Sequence, residues 1–163
     1  MTHTRTAQRL DPAALDLPEL FEGVDYLDVF EVTVASPEER TPDEIWRAAL
    51  TGLPWPVRRA IRTIHRAVLG FRAVPAGSVD NLIGWRVIEA TDDIAHYAAD
   101  GPLISGTLLL RRMGPSKGQL ITGLTFQRRT AGPLVWRAIG PVHRFAAPRL
   151  MQRTFGHAEP CEG

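Results

Sequence analysis

Polar and apolar positions alternate with a period of two from Tyr26 to Val34 (Tyr-Leu-Asp-Val-Phe-Glu-Val-Thr-Val), a β-branched-rich run that predicts a first strand. Asp28 and Phe30 fall on one face of it, and Leu27, Val29 and Glu31 on the other. Thr41-Pro42-Asp43-Glu44 opens a helix, with Thr41 as N-cap, Pro42 at the first helical position and Glu44 completing a capping box; a short helix to Leu50 follows. Leu53-Pro54-Trp55-Pro56 is a stiff connection, after which Val57 to Leu69 predicts a second helix closed by Gly70. Its apolar side is Val57, Ala60, Ile61, Ile64 and Val68, and its opposite side Arg58, Arg59, Arg62 and Arg66, so a surface helix packed on a sheet is expected.

Beyond a Pro/Gly-containing loop from Arg72 to Leu82, short strands are predicted at Gly84 to Ala90 and Ile94 to Ala99 about a Thr91-Asp92-Asp93 turn. Two longer strands follow, Ile104 to Arg112 and Gln119 to Arg128, and then a long helix from Pro133 to about Phe155. At about 100° per residue, Val135, Ile139, Val142, Ala146 and Leu150 share one arc of that helix, with Trp136 and His143 at its edge. Arg137, Pro141, Arg144, Pro148 and Gln152 fall opposite, and both prolines on the polar side would bend the helix around what it covers. Strand, two helices, a meander of about four strands and a long helix make an α+β domain. The organisation expected is an N-terminal arm over residues 1–23 laid on the domain, a single domain over 24–157, and a flexible tail over 158–163.

A chain of 163 residues, 44% hydrophobic, is long enough for one core and short for two. It has no apolar run of the roughly 18 residues a membrane span requires, and Met1 to Leu10 lacks the apolar stretch of a signal peptide, so a cytoplasmic protein with no integral membrane segment is expected. Cys161 is the only cysteine, which excludes a disulfide within the chain. Net charge is +1, yet 11 of the 18 acids lie between Asp11 and Glu44 and none between Gly101 and Ala158. The basic C-terminal third reads first as a solvated surface paired with the acidic N-terminal segment, and second as a face for an anionic partner such as a carboxylated ligand or a lipid surface. Nucleic acid is not expected, because aromatics are few and are not interleaved with the basic residues.

Asp25-Tyr26-Leu27-Asp28-Val29-Phe30, Leu53-Pro54-Trp55, Gly84-Trp85-Arg86-Val87-Ile88 and Ile139-Gly140-Pro141-Val142-His143-Arg144, in this order and spacing, resemble an uncharacterised bacterial domain family of the START-like and polyketide-cyclase helix-grip superfamily. The likeness covers about residues 16–157. It implies a bent antiparallel sheet gripping the C-terminal helix around a cavity, and it implies no activity. The chain shows about two strands fewer than a full sheet of that superfamily, unless Arg72 to Leu82 supplies one.

Candidate chemistry is sparse. His143 lies at the apolar side of the last helix, where an imidazole needs a hydrogen-bond partner: a strand carbonyl or carboxylate in a purely structural role, or a ligand in a functional one. Asp28 and Glu31 point to opposite faces and cannot act as a pair, and Asp92-Asp93 is turn chemistry. His157 and Cys161 make a poor metal site, and no nucleotide-binding or common hydrolase motif occurs, so neither metal nor cofactor is expected. The expected function is binding of a small hydrophobic or amphipathic ligand in an apolar cavity lined or bordered by Trp85, Trp136 and His143, the basic third favouring an anionic end. The alternatives are a cyclase or dehydratase using His143 with His96 or Tyr97, and an interaction module that engages an acidic protein or a membrane through its Arg-rich faces. Oligomeric state is open.

Overall fold

In a computed structural model, residues 6–34, 37–71 and 81–155 are described. His157, Cys161 and most of the Arg72 to Leu82 loop lie outside them.

Among the described residues seven strands, β1 (Thr6–Leu10), β2 (Tyr26–Thr33), β3 (Asn81–Leu82), β4 (Trp85–Ala90), β5 (Ile94–Ala99), β6 (Ile104–Arg112) and β7 (Lys117–Phe126), form one curved antiparallel sheet in the order β1-β2-β7-β6-β5-β4-β3. Two of these were not expected from the pattern. Asn81–Leu82 is too short to show a period, and Thr6–Leu10 is an edge strand whose Gln8 and Arg9 leave little hydrophobic signal. β1 holds its place by pairing along β2 and by Arg9, whose guanidinium meets the fully buried Asp28 carboxylate at 2.5 Å. Past β1 the chain crosses the convex face of the sheet, where Phe21 packs with Leu10, Leu15 and Leu17 on Val29, Leu109 and Ile121.

The concave face carries α1 (Pro42–Thr51) and α3 (Ala131–Thr154), with α2 (Trp55–Thr63) between them in the chain, and the architecture is a helix-grip α+β fold. α1 has the predicted capping box: the Thr41 hydroxyl accepts from the Glu44 amide at 3.3 Å, and the Glu44 carboxylate accepts from the Thr41 amide at 2.7 Å. It buries Ile45, Trp46, Ala49 and Leu50 against β5, β6 and α3.

Two helix faces differ from expectation. α3 is continuous through Pro141 and Pro148, but its buried line is Gly132, Trp136, Gly140, Ala147, Met151 and Thr154. The arc from Val135 to Leu150 is turned about 90° aside, and Val142 is 58% exposed. Close approach to the sheet decides this. A Cβ on Gly132 would sit 2.9 Å from that of Phe126, so the contact line takes small residues, which a hydrophobicity pattern undervalues. Arg144, expected opposite, is half-buried and reaches the Tyr26 hydroxyl at 3.4 Å. α2 is not packed on the sheet: none of its residues is buried, and Val57 and Ala60, like Val68 beyond its end, are exposed. It runs into a single π turn, Ile64–Val68, and ends at Gly70 with φ +72°.

Candidate functional site

Ile61, Ile64 and the displaced arc of α3 do not lack neighbours; they face one another across a cavity of about 160 Å³ between α2, α3 and the sheet. Its walls include Leu50 of α1, Trp85, Leu108 and Leu124 of the sheet, and Ile139, Val142, Ala146 and Leu150 of α3. A space of this order admits a guest of about the size of an aromatic ring system, well short of a sterol.

Trp85 reaches the cavity because the strands beside it are stripped of side chains. A Cβ on Gly106 would stand 2.7 Å from the Trp85 ring, which lies over Gly106 and packs edge-on to Phe71 and His65. Trp136 meets Tyr26 edge-on at 4.9 Å and His143 at 5.5 Å. These contacts set an aromatic cluster into an otherwise aliphatic wall.

The polar part of that wall is small and unsatisfied. Among the described residues, the imidazole Nε2 of His143, the indole Nε1 of Trp136 and the hydroxyl of Thr122 are buried without a hydrogen-bond partner, and all three residues line the cavity. The same holds for Oδ2 of Asp28, the direct cross-strand neighbour of Thr122 on the concave face. Burial raises the Asp28 pKa, opposed by the Arg9 guanidinium and, further off, Arg144. Burial also pushes His143 down to about 4, helped by the positive charge of Arg144 and by His65, so its imidazole is neutral at physiological pH.

His65, which the pattern did not single out, is the second histidine of the cavity wall. Its Nδ1 lies 3.0 Å from the carbonyl of Ile83, which can only accept, so the proton is on Nδ1 and the neutral ring presents Nε2 as an acceptor. Burial lowers its pKa. The carbonyl it holds belongs to the two-residue turn between β3 and β4, in which Ile83 has φ +52° and Gly84 φ +93°. A β-branched residue there is strained, and the His65 bond helps to hold it. One signal was readable: His65 is a polar residue among Ile61, Ile64 and Val68, the same anomaly that marks His143 on α3.

His96 and Tyr97 do not line the cavity. His96 points to the convex face opposite Glu89 and Leu109, and burial lowers its pKa. Tyr97 is wholly buried and donates to Asp43 of α1 at 2.7 Å; burial and that carboxylate raise its pKa. Neither can pair with His143 inside the cavity. Asp28 and Glu31 do face opposite sides: Glu31 takes a bond from Gln119 at 2.9 Å and an ion pair from Lys117. Among the described residues no cluster of three metal-ligating side chains occurs, and no helix is long and apolar enough to cross a membrane.

No family model matches the chain, and no curated protein and no solved structure is found similar to it.

Proposed function

We propose that the protein is a small-molecule-binding domain whose cavity takes a compact, mainly apolar ligand with an uncharged polar end. The observation that carries this reading is the set of orphaned polar atoms on His143, Trp136 and Thr122 in an otherwise apolar wall. A buried polar atom without a partner costs about 1–3 kcal/mol, and a guest that bonds to it recovers that cost. Trp136 can only donate, Thr122 can donate and accept, and a neutral imidazole offers one N–H and one lone pair. A phenol or an aromatic ketone complements such a set. The anionic end expected from the basic C-terminal third finds no cation among the described residues of the wall, since His143 is neutral and Arg144 is turned to Tyr26.

Calorimetry and tryptophan emission with matched phenols, aromatic ketones and benzoates test this. The neutral members bind with affinities on the order of micromolar, and the carboxylates at least about tenfold more weakly. Thr122→Val and His143→Leu each lower affinity for the neutral members about tenfold, the worth of one hydrogen bond in a dry site. Equal affinity for benzoates, or no binding by any member, sinks the reading.

One observation favours a second reading, an enzyme of cyclase or dehydratase type: two neutral histidines from different elements share the cavity, and His65 has its lone pair fixed on Nε2. A base of that kind accepts a proton from a substrate carbon beside a carbonyl. Exchange of that hydrogen for deuterium in a bound ketone, abolished in His65→Gln and retained in Tyr97→Phe, is the expected sign.

A further inference from the structure

Beyond ligand binding, we propose that the outer face of α3 is a docking surface for an anionic lipid bilayer, placed so that the cavity mouth opens at the membrane. Leu134, Val142 and Phe145 are 67%, 58% and 61% exposed, and with exposed Ala138 they form a single stripe along the helix. Isolated exposed apolar residues are ordinary, whereas a continuous stripe of this length marks an interaction site. The charges that α3 itself carries are of one sign. α3 contains no acidic residue, and Arg137, Arg149 and Arg153 stand exposed along it. The Arg149 guanidinium lies 3.5 Å over the Phe145 ring, beside the stripe.

The occupant follows from this arrangement. A second copy of the chain docking stripe to stripe would oppose arginine to arginine, which is repulsive. A ridge of leucine, valine and phenylalanine flanked by guanidinium groups matches instead an interface in which apolar side chains enter the acyl boundary and cations meet headgroup phosphates and carboxylates. The cavity supports the placement: Val142 belongs both to the stripe and to the cavity wall. α2, which faces α3 across the cavity, repeats the pairing, with Trp55 59% exposed and Arg59 stacked at 5.6 Å from its ring.

Sedimentation with vesicles of phosphatidylcholine alone, or mixed with phosphatidylserine, tests the proposal. The full chain binds the mixed vesicles, and binding weakens as salt rises. Arg137→Gln and Arg153→Gln each reduce the partition coefficient by roughly fivefold, the effect of about 1 kcal/mol per cation at such a surface. Leu134→Ser with Phe145→Ser abolishes binding and leaves the melting temperature and cavity-ligand affinity unchanged, because both side chains point away from the core. The proposal is overturned if mixed vesicles are not bound, or if the serine variant binds as wild type does. It also falls if soluble polyglutamate binds as tightly as vesicles do, which indicates an acidic protein partner, or if the serine substitutions dissolve a dimer seen in light scattering, which indicates a second copy. Failure here leaves the cavity reading standing, since ligand binding is measured without lipid.

Discussion

α1 and α2 follow one another along the chain, are of similar length, and show an equally clear separation of polar from apolar positions, yet they end in opposite surroundings. α1 has a reciprocal cap, buries Ile45, Trp46, Ala49 and Leu50, and is tied to the sheet by the Tyr97 to Asp43 bond. α2 has no side-chain cap and no buried residue, and of its apolar side Ile61, with Ile64 of the π turn after it, looks into a cavity. Amphipathicity thus reports that a helix has two sides; it does not report what lies against the apolar one. The α1 side of the concave face is filled by its own side chains. The α2 side is left for a guest.

The largest expected difference is in truncation energies. Ile45→Ala, at a site 2% exposed, costs about 3 kcal/mol through lost burial and the void left behind. Ile61→Ala on α2 costs under about 1 kcal/mol, because the side chain is only half-buried and the void merges with space already present. Denaturant midpoints measured at one pH compare them. Similar losses would show that α2 is packed as α1 is and that the cavity closes in solution.

Acid separates the two sides next. His143 and His65 lie on the cavity side, and both have folded pKa values depressed by burial. The unfolded chain therefore binds protons first as pH falls, and stability present above about pH 6.5 is lost on the way down to about pH 4. For His143 alone the loss amounts to roughly 3 kcal/mol over that window, from an ordinary 6.5 to about 4. Hydrogen exchange should show α2 and the β3–β4 turn opening in that range before α1 does. His143→Leu should flatten the dependence, and an unchanged slope in that variant would place the acid sensitivity elsewhere. A bound neutral ligand should shift the opening to lower pH, since protonated His143 would have to displace it.

A smaller effect tests the α1 anchor. Tyr97→Phe removes the hydroxyl that donates to Asp43, which keeps its second partner Arg47 at 2.6 Å. The cost should be about 1 kcal/mol in thermal or denaturant melts, with affinity for cavity ligands unchanged. A fall in ligand affinity without loss of stability would return Tyr97 to the cavity wall, where the sequence had suggested it.

The frame of the molecule was legible because it depends on local rules. Alternation marked β2, and strand-like runs between turn signals marked β5 and β6, each to within a residue, and Thr41-Pro42-Asp43-Glu44 carried α1 and its cap. The site was only partly legible, since its making is non-local. Trp85, Trp136 and His143 do line the cavity, but nothing local says that Gly106 makes room for Trp85, or that Gly132 lets α3 approach Phe126 so closely. Thr122 reads as one more strand residue until its hydroxyl is found without a partner. His96 and Tyr97 were adjacent candidates on one strand, and the period of two guaranteed that at most one could face inward. Tyr97 does so, but toward α1.

The smallest expected effect is the most direct test of the comparison. Val57 belongs to the apolar side of α2, and on pattern alone Val57→Ala would remove a buried branched side chain and cost upwards of about 1 kcal/mol. In the structure Val57 is 42% exposed and makes no part of the cavity wall, so little transfer free energy is lost, and alanine's better helix propensity offsets part of it. A change within about 0.5 kcal/mol of zero is expected, read as an unchanged denaturant midpoint and slope. If instead the midpoint drops as far as for Ile45→Ala, α2 rests on the sheet by the face its sequence advertises, the space between α2 and α3 is not held open, and the cavity loses the wall on which the ligand-binding reading stands.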